Sequence, residues 1–114
     1  MLSGGFFHYL AFMTSSVEKF LKNLISDLPS SSGVYQFFNL DQQIIYVGKA
    51  KNLKKRVSSY FAKRQVGKTG ILVNKTVDIK IVITESEQDA LLLENNLIKK
   101  YKPIYNILLK DDKT

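Results

Sequence analysis

Apolar residues recur along this chain with two different periods, and the points where the period changes mark its elements. Val17, Phe20, Leu21, Leu24, Ile25 and Leu28 return every three or four positions, the spacing of one helix face. Ser15, with Glu18 three residues later, forms a capping box ahead of them. Pro29 and Ser30-Ser31-Ser32-Gly33 stop that helix. From there the composition turns β-branched and aromatic. Gly33–Asn39 and Ile44–Gly48 read as two strands joined by a turn at Asp41-Gln42-Gln43. Asn52 offers an N-cap for a helix running to about Arg64, with Leu53, Val57, Tyr60 and Phe61 inward. Gln65–Gly70 is a polar connection and Ile71–Thr76 a short helix. Val77, Ile79, Ile81 and Ile83 alternate along a third strand, Val77–Thr84. Ser86 caps a further helix through Tyr101, which Pro103 ends, and Asn106–Leu109 reads as a short strand or extended tail. There is no internal repeat. The pattern predicts the α/β class: a small three-stranded, mainly antiparallel sheet flanked by helices.

One residue breaks the pattern. Advancing about 100° per residue, Ala90, Leu97 and Tyr101 cluster on one face of the last long helix, with Leu93 on one flank and Leu91 and Ile98 on the other. Glu94 falls inside that arc. A carboxylate there is costly to bury alone, so it pairs with a cation, coordinates a metal or borders a cleft. The hairpin raises a second question. Side chains alternate across a sheet, so register decides whether Tyr35 and Tyr46 share a face. With Asn39 opposite Ile44, Tyr46 pairs with Phe37 and Tyr35 is its diagonal neighbour; a one-residue change separates them.

Charge narrows the partners. The chain has 114 residues and a net charge of +7, enough for one domain with one core. Lys49, Lys51, Lys54, Lys55, Arg56, Lys63, Arg64 and Lys68 fall in one stretch with no acid. Such a run is either a polyanion-binding surface, favoured at low salt by counterion release, or a solvated helix face. With no cysteine and one histidine, His8, the chain has no thiolate site and no histidine-rich site. A metal would be a hard cation on oxygen ligands, magnesium or manganese. No apolar run approaches the ~20 residues of a membrane span, so no membrane is expected as partner and a cytoplasmic location is the default. Gly4–Met13 is apolar but lacks the basic flank and cleavage site of a signal peptide. Residues 1–13 read as a weakly ordered leader, with Met13 an alternative start, and residues 14–114 as the domain.

Several residues make chemical sense together. Hydrolysis of a phosphodiester needs an activated water, stabilised phosphoryl oxygens and a stabilised leaving oxygen. A carboxylate-held divalent ion serves the last two, and cationic side chains aimed at the phosphate add to them. Lys49 follows the second strand's Gly48. Arg56 and Tyr60 are neighbours on one side of a helix, with Arg56 at the edge of its apolar stripe. A tyrosine acts as a base only if its pKa, about 10 when unperturbed, is lowered by cations, and Lys49 and Arg56 are the candidates. The alternatives are tyrosines that only pack and a Glu94 that is only salt-bridged.

Gly33-Val34-Tyr35 stands eleven residues before Tyr46-Val47-Gly48, and the string runs on through Lys49-Ala50-Lys51-Asn52-Leu53 to Arg56 and Ser59-Tyr60-Phe61. A second block joins Ala90-Leu91-Leu92-Leu93-Glu94, Asn96–Lys100, Pro103-Ile104-Tyr105-Asn106 and Leu109–Lys113. From about Leu24 to Thr114 the chain closely resembles GIY-YIG nuclease domains, specifically the N-terminal endonuclease type of the UvrC family. Valine replaces isoleucine in each namesake triplet. The resemblance implies a DNA endonuclease of nucleotide excision repair that nicks damaged double-stranded DNA 3′ to the lesion, after UvrA and UvrB have marked it. It implies one divalent ion on Glu94, a phosphate contact from Arg56, and a general base at Tyr35 or Tyr46, with Tyr46 favoured. Lys49, Tyr60 and Asn106 match further active-site positions. It also implies that the chain is the N-terminal fragment of a longer protein, binding DNA weakly and cutting poorly alone. The rival readings are a GIY-YIG nuclease of another setting, homing or stand-alone repair, and a non-catalytic DNA-binding module.

Overall fold

The three strands form because their inward residues can be covered on both sides. The computed structural model describes the backbone of residues 4–110 and the side chains of residues 15–110. Strands β1 (Gly33–Phe38), β2 (Ile44–Ala50) and β3 (Asp78–Ile83) make one sheet in the order β2-β1-β3, and both pairings are antiparallel. The expected class and architecture are therefore present. The central strand β1 alternates between two cores. Tyr35 and Phe37 join Tyr46, Leu53, Val57 and Leu72 in the larger one. Val34, with Val47, meets Ala90 in the smaller.

Helix α1 (Gly4–Ser26) supplies Leu21 and Ile25 to the larger core, followed by Leu28. It does not begin at the expected capping box. It runs through positions 4–13, which were expected as a weakly ordered leader, because no proline stands between Gly5 and Pro29 to break the turn. Residues 1–3 of that leader lie outside the described residues. Helix α2 (Leu53–Phe61) is capped by Asn52, whose Oδ1 accepts from the Lys55 N–H at 3.0 Å. The Pro29–Ser32 loop then holds both α2 and the sheet. The carbonyls of Ser31 and Pro29 accept from the Leu53 and Lys54 N–H groups, and that of Ser32 from Thr84. These bonds satisfy helix donors that have no partner within the helix.

Three boundaries differ from the sequence expectation. Helix α2 stops at Phe61, short of Arg64, and the Gln65 side chain donates to the Ser59 carbonyl of its last turn. Helix α3 (Gly67–Lys75) starts earlier than Ile71, from a Gly67 held at φ 64°. Helix α4 (Glu87–Tyr101), capped by Ser86 as expected, ends on Lys102 in the left-handed conformation. The expected strand or tail at Asn106–Leu109 is instead helix α5 (Ile104–Leu108). Tyr105 and Leu109 are both buried while Ile107 between them is 59% exposed; a strand would put all three on one face, and a helix does not.

The hairpin register is decided by a bulge. Tyr46 pairs with Phe37 as anticipated, but Phe38 rather than Asn39 stands opposite Ile44, with an irregularity between Phe37 and Phe38. The turn is organised by Asn39, whose Oδ1 accepts from the Asp41 and Gln43 N–H groups at 3.0 and 2.9 Å. At the other end of β1, Gly33 faces β3 so closely that an added Cβ would lie 2.2 Å from the Val82 carbonyl oxygen. Because the obstruction is backbone, Gly33→Ala should lower stability by about 1–3 kcal/mol or more. The check is a lower urea midpoint with an unchanged slope.

Candidate active site

Three tyrosines and one phenylalanine form a cluster of tilted and edge-on rings on the α2 side of the sheet. Phe37 is its floor, with centroids 5.3 Å from Tyr35, 6.0 Å from Tyr46 and 5.2 Å from Tyr60. Gly48 makes the cluster possible. It pairs with Tyr35 across the hairpin, and a Cβ on it would lie 2.3 Å from the Tyr35 ring and hydroxyl. The bare backbone lets the Tyr35 ring cross β2 and reach helix α2, where the Tyr35 and Tyr60 hydroxyls are hydrogen-bonded at 2.9 Å. Arg56, one turn before Tyr60, holds its guanidinium 5.5 Å from the Tyr60 ring centroid, within cation–π range.

Tyr46, Arg56 and Tyr60 open onto a cleft of about 260 Å³. Its remaining wall consists of Ser59, Gln65, Thr69 and Leu109. Sequence reasoning left these four out. The polar composition of the connection after α2 was the only signal available, and nothing in it distinguished a cleft wall from a solvated loop. Tyr35 lies behind, 1% exposed, and does not border the cleft.

Burial governs the phenols. Tyr35 is pushed well above the usual tyrosine range by desolvation first, then by the neighbouring Tyr60 and Tyr46, while Arg56 pulls the other way. Tyr46 is also raised, again mainly by burial; the Glu94 charge adds to the rise, and Arg56 and the hydroxyls of Tyr60 and Tyr35 oppose it. Tyr60 is raised by burial and by Tyr46. Tyr35 strengthens the hold of Arg56 on its proton. The expected net lowering of Tyr46 by cations is thus absent. Arg56 does act in that direction, but losing water outweighs it. Lys49, the other expected cation, lies within β2 as the partner of Val34. Cross-strand partners share a face, so Lys49 is exposed on the α4 side, away from the Tyr46 phenol.

Glu94 is half-buried on α4, whose Ala90, Leu93, Leu97 and Ile98 pack against Val34 and Val47. It therefore comes to the phenols from the sheet's other face, outside the Arg56 cleft, yet near enough for its charge to act on Tyr46. Among the described residues no group of three or more histidine, aspartate or glutamate side chains converges. Asn106 is placed differently again. Its amide makes two 2.8 Å bonds to the backbone of Val47, accepting from the N–H and donating to the carbonyl. The remaining basic residues of the run, Lys51, Lys54, Lys55, Lys63, Arg64 and Lys68, are exposed, with the Lys68 ammonium donating to the Leu108 carbonyl. They surround α2 and the start of α3 rather than lining the cleft.

A family model for the UvrC-like GIY-YIG domain matches residues 31–107. The UvrABC system protein C of Bacteroides fragilis is 63% identical over 98 residues, 85% of this chain and 16% of that protein. The protein of the same name from Mesoplasma florum is 57% identical over 93 residues, 82% of this chain and 16% of its own length. The chain thus spans about one sixth of these curated relatives. Among solved structures, the GIY-YIG N-terminal endonuclease domain of UvrC from Thermotoga maritima, bound to magnesium as its catalytic divalent cation, superposes with a TM-score of 0.68. It is 38% identical, and the match covers 75% of this chain and 93% of that one. With a family match across most of its length and relatives this close, the chain belongs to the UvrC-like GIY-YIG domain family.

Proposed function

We propose that this domain is a metal-dependent endonuclease that hydrolyses phosphodiester bonds in DNA, within nucleotide excision repair. The observation that carries the reading is the cluster of three phenols against the Arg56 guanidinium, with the Glu94 carboxylate near enough for its charge to act on Tyr46. The substrate is damaged double-stranded DNA, the incision lies 3′ to the lesion, and UvrB, acting after UvrA, is the partner that delivers the site. Support for this biology comes from the relatives' membership of the UvrABC system.

The donor set fits a magnesium-like ion. One carboxylate is a typical protein contribution for a hard cation that keeps most of its waters and takes further oxygens from phosphate, and Glu94 offers one, half-buried beside the phenols. When bound there, the ion supplies Lewis-acid stabilisation of the phosphoryl charge and the leaving oxygen. Arg56, on the cleft wall, places a fixed positive charge against the same phosphate. Tyr46 borders the cleft and, as the phenolate, takes the role of general base, accepting the proton of the attacking water to become the neutral phenol. Tyr35 and Tyr60, hydrogen-bonded to one another, hold the phenol cluster in place. Asn106 acts through the Val47 backbone and is a positioning residue. Lys49 and the surrounding basic side chains bind the DNA backbone without reading its sequence.

Three outcomes test this in the full-length protein with its partners. Glu94→Gln should keep DNA binding and lose nicking by roughly 100-fold or more; equal nicking by this variant, or by wild type in EDTA, rejects the metal reading. Arg56→Ala should cost about 100- to 1,000-fold in cutting rate with a much smaller loss of binding, and equal losses would make it a docking contact only. The third concerns pH. The raised Tyr46 pKa leaves the phenol protonated at neutrality, so single-turnover nicking should climb with pH without a plateau below about pH 10. The same shifts work against the fold in alkali. A raised folded-state pKa means stability is intact below the unfolded value, near 10, and declines as pH rises toward the folded one. Alkaline unfolding should therefore track phenolate absorbance, and Tyr35→Phe should delay it.

A further inference from the structure

The opposite sheet face carries a second concavity, at its hairpin end. It measures about 720 Å³ and is lined by residues that include Phe38, Lys80, Tyr101, Lys102 and Ile104. Phe38 and Gln36 alternate with Tyr35 and Phe37 along β1, so this groove lies across the sheet from the phenol cluster. Its walls mix aromatic rings with cations. The Lys80 ammonium lies 4.9 Å from the Phe38 ring centroid, and Lys100, outside the lining, holds its ammonium 5.1 Å from the Tyr101 centroid. Tyr101, at the end of α4, is 46% exposed.

Two features point to the occupant. No lining residue is acidic, and the nearest strand carboxylate, Asp78, turns to its own backbone and accepts from the Ile79 N–H. Lys102 adopts φ 44°, a left-handed conformation that costs a non-glycine residue roughly 1–2 kcal/mol, at a helix end where glycine is the usual occupant. The chain thus keeps a cation at the groove mouth against a backbone cost. An exposed tyrosine ring beside a half-buried phenylalanine, with lysines and no carboxylate in the lining, is the chemistry of single-stranded nucleic acid: bases stack on the rings and phosphates meet the ammonium groups. Tyr101 follows Glu94 by seven residues on α4, two turns or about 10 Å along one helix face, a span of roughly three nucleotides at 3.4 Å each.

We propose that this groove binds an unpaired segment of the DNA strand that is cut, a few nucleotides from the scissile phosphate. The choice of occupant rests on the nuclease reading; the binding itself is metal-independent and can be measured apart from it. The probe is a fluorescein-labelled oligothymidylate titrated in EDTA with wild type, Tyr101→Ala and the Lys80→Ala/Lys102→Gly pair. Stacking on one ring predicts a loss of about 5- to 100-fold for Tyr101→Ala, with a smaller loss on duplex DNA. Removal of both lysines predicts a shallower salt dependence, by about 0.7 in slope for each phosphate that is no longer neutralised. Lys102→Gly relieves the backbone cost, so a folding defect does not mimic the loss. Unchanged oligothymidylate affinity and slope in both variants overturns the proposal and leaves the groove to a protein partner, as do equal losses on duplex and single strand. Retained binding differences in a protein that nicks no DNA with metal present would sink the nuclease reading and leave the groove standing.

Discussion

The site depends on one pairing, that of Phe37 with Tyr46 across the hairpin. Because side chains alternate with a period of two, this pairing brings Tyr35, Phe37 and Tyr46 to one face, and a slip of one position would scatter them. The bulge next to it absorbs an extra residue at the turn and leaves the pairing beyond undisturbed. Gly48 completes the arrangement, since only a residue without a Cβ can sit beneath the Tyr35 ring. Both motif glycines therefore serve packing, one against backbone and one against a ring, rather than an unusual dihedral angle.

The phenols are in tension with their surroundings. Burial holds them protonated, and the cluster's geometry is secured by the same apolar contacts that make ionisation costly. Arg56 and Glu94 act on Tyr46 with opposite signs from opposite sheet faces. Tyr35, behind it, is shielded from the cleft and suited to fixing geometry. This division follows from position alone, since the three side chains are chemically identical.

Local patterns in the chain already contained most of the fold. The β-branched and aromatic content of β1, the alternation in β3, the Asn52 and Ser86 caps and the proline stops marked elements that the structure contains within a few residues. The errors came where a local signal was outweighed by packing. A capping box at Ser15 has no force when the helix continues upstream of it, and Asn106–Leu109 is too short for its period to tell strand from helix. The exposure of Ile107 between buried Tyr105 and Leu109 decides that. For the site, spacing paired Arg56 with Tyr60 and left the sharing of a face by Tyr35 and Tyr46 to the register; the family resemblance joined the two pairs, and Glu94 stood out by its place in an apolar arc. The direction of the Tyr46 shift was not, because desolvation depends on what covers a residue, and that is settled only by the packed fold. Lys49 was misplaced for a simpler reason: β2 continues to Ala50, and one more residue of strand reverses the side a side chain takes.

The two hydrogen bonds from Asn106 to Val47 reach past local order. β2 is an outer strand, and its outward N–H and C=O groups are a template onto which a foreign chain could add. The carboxamide imitates one residue of a neighbouring strand and occupies that template at its centre. Intruding chains are turned away without a fourth strand being built.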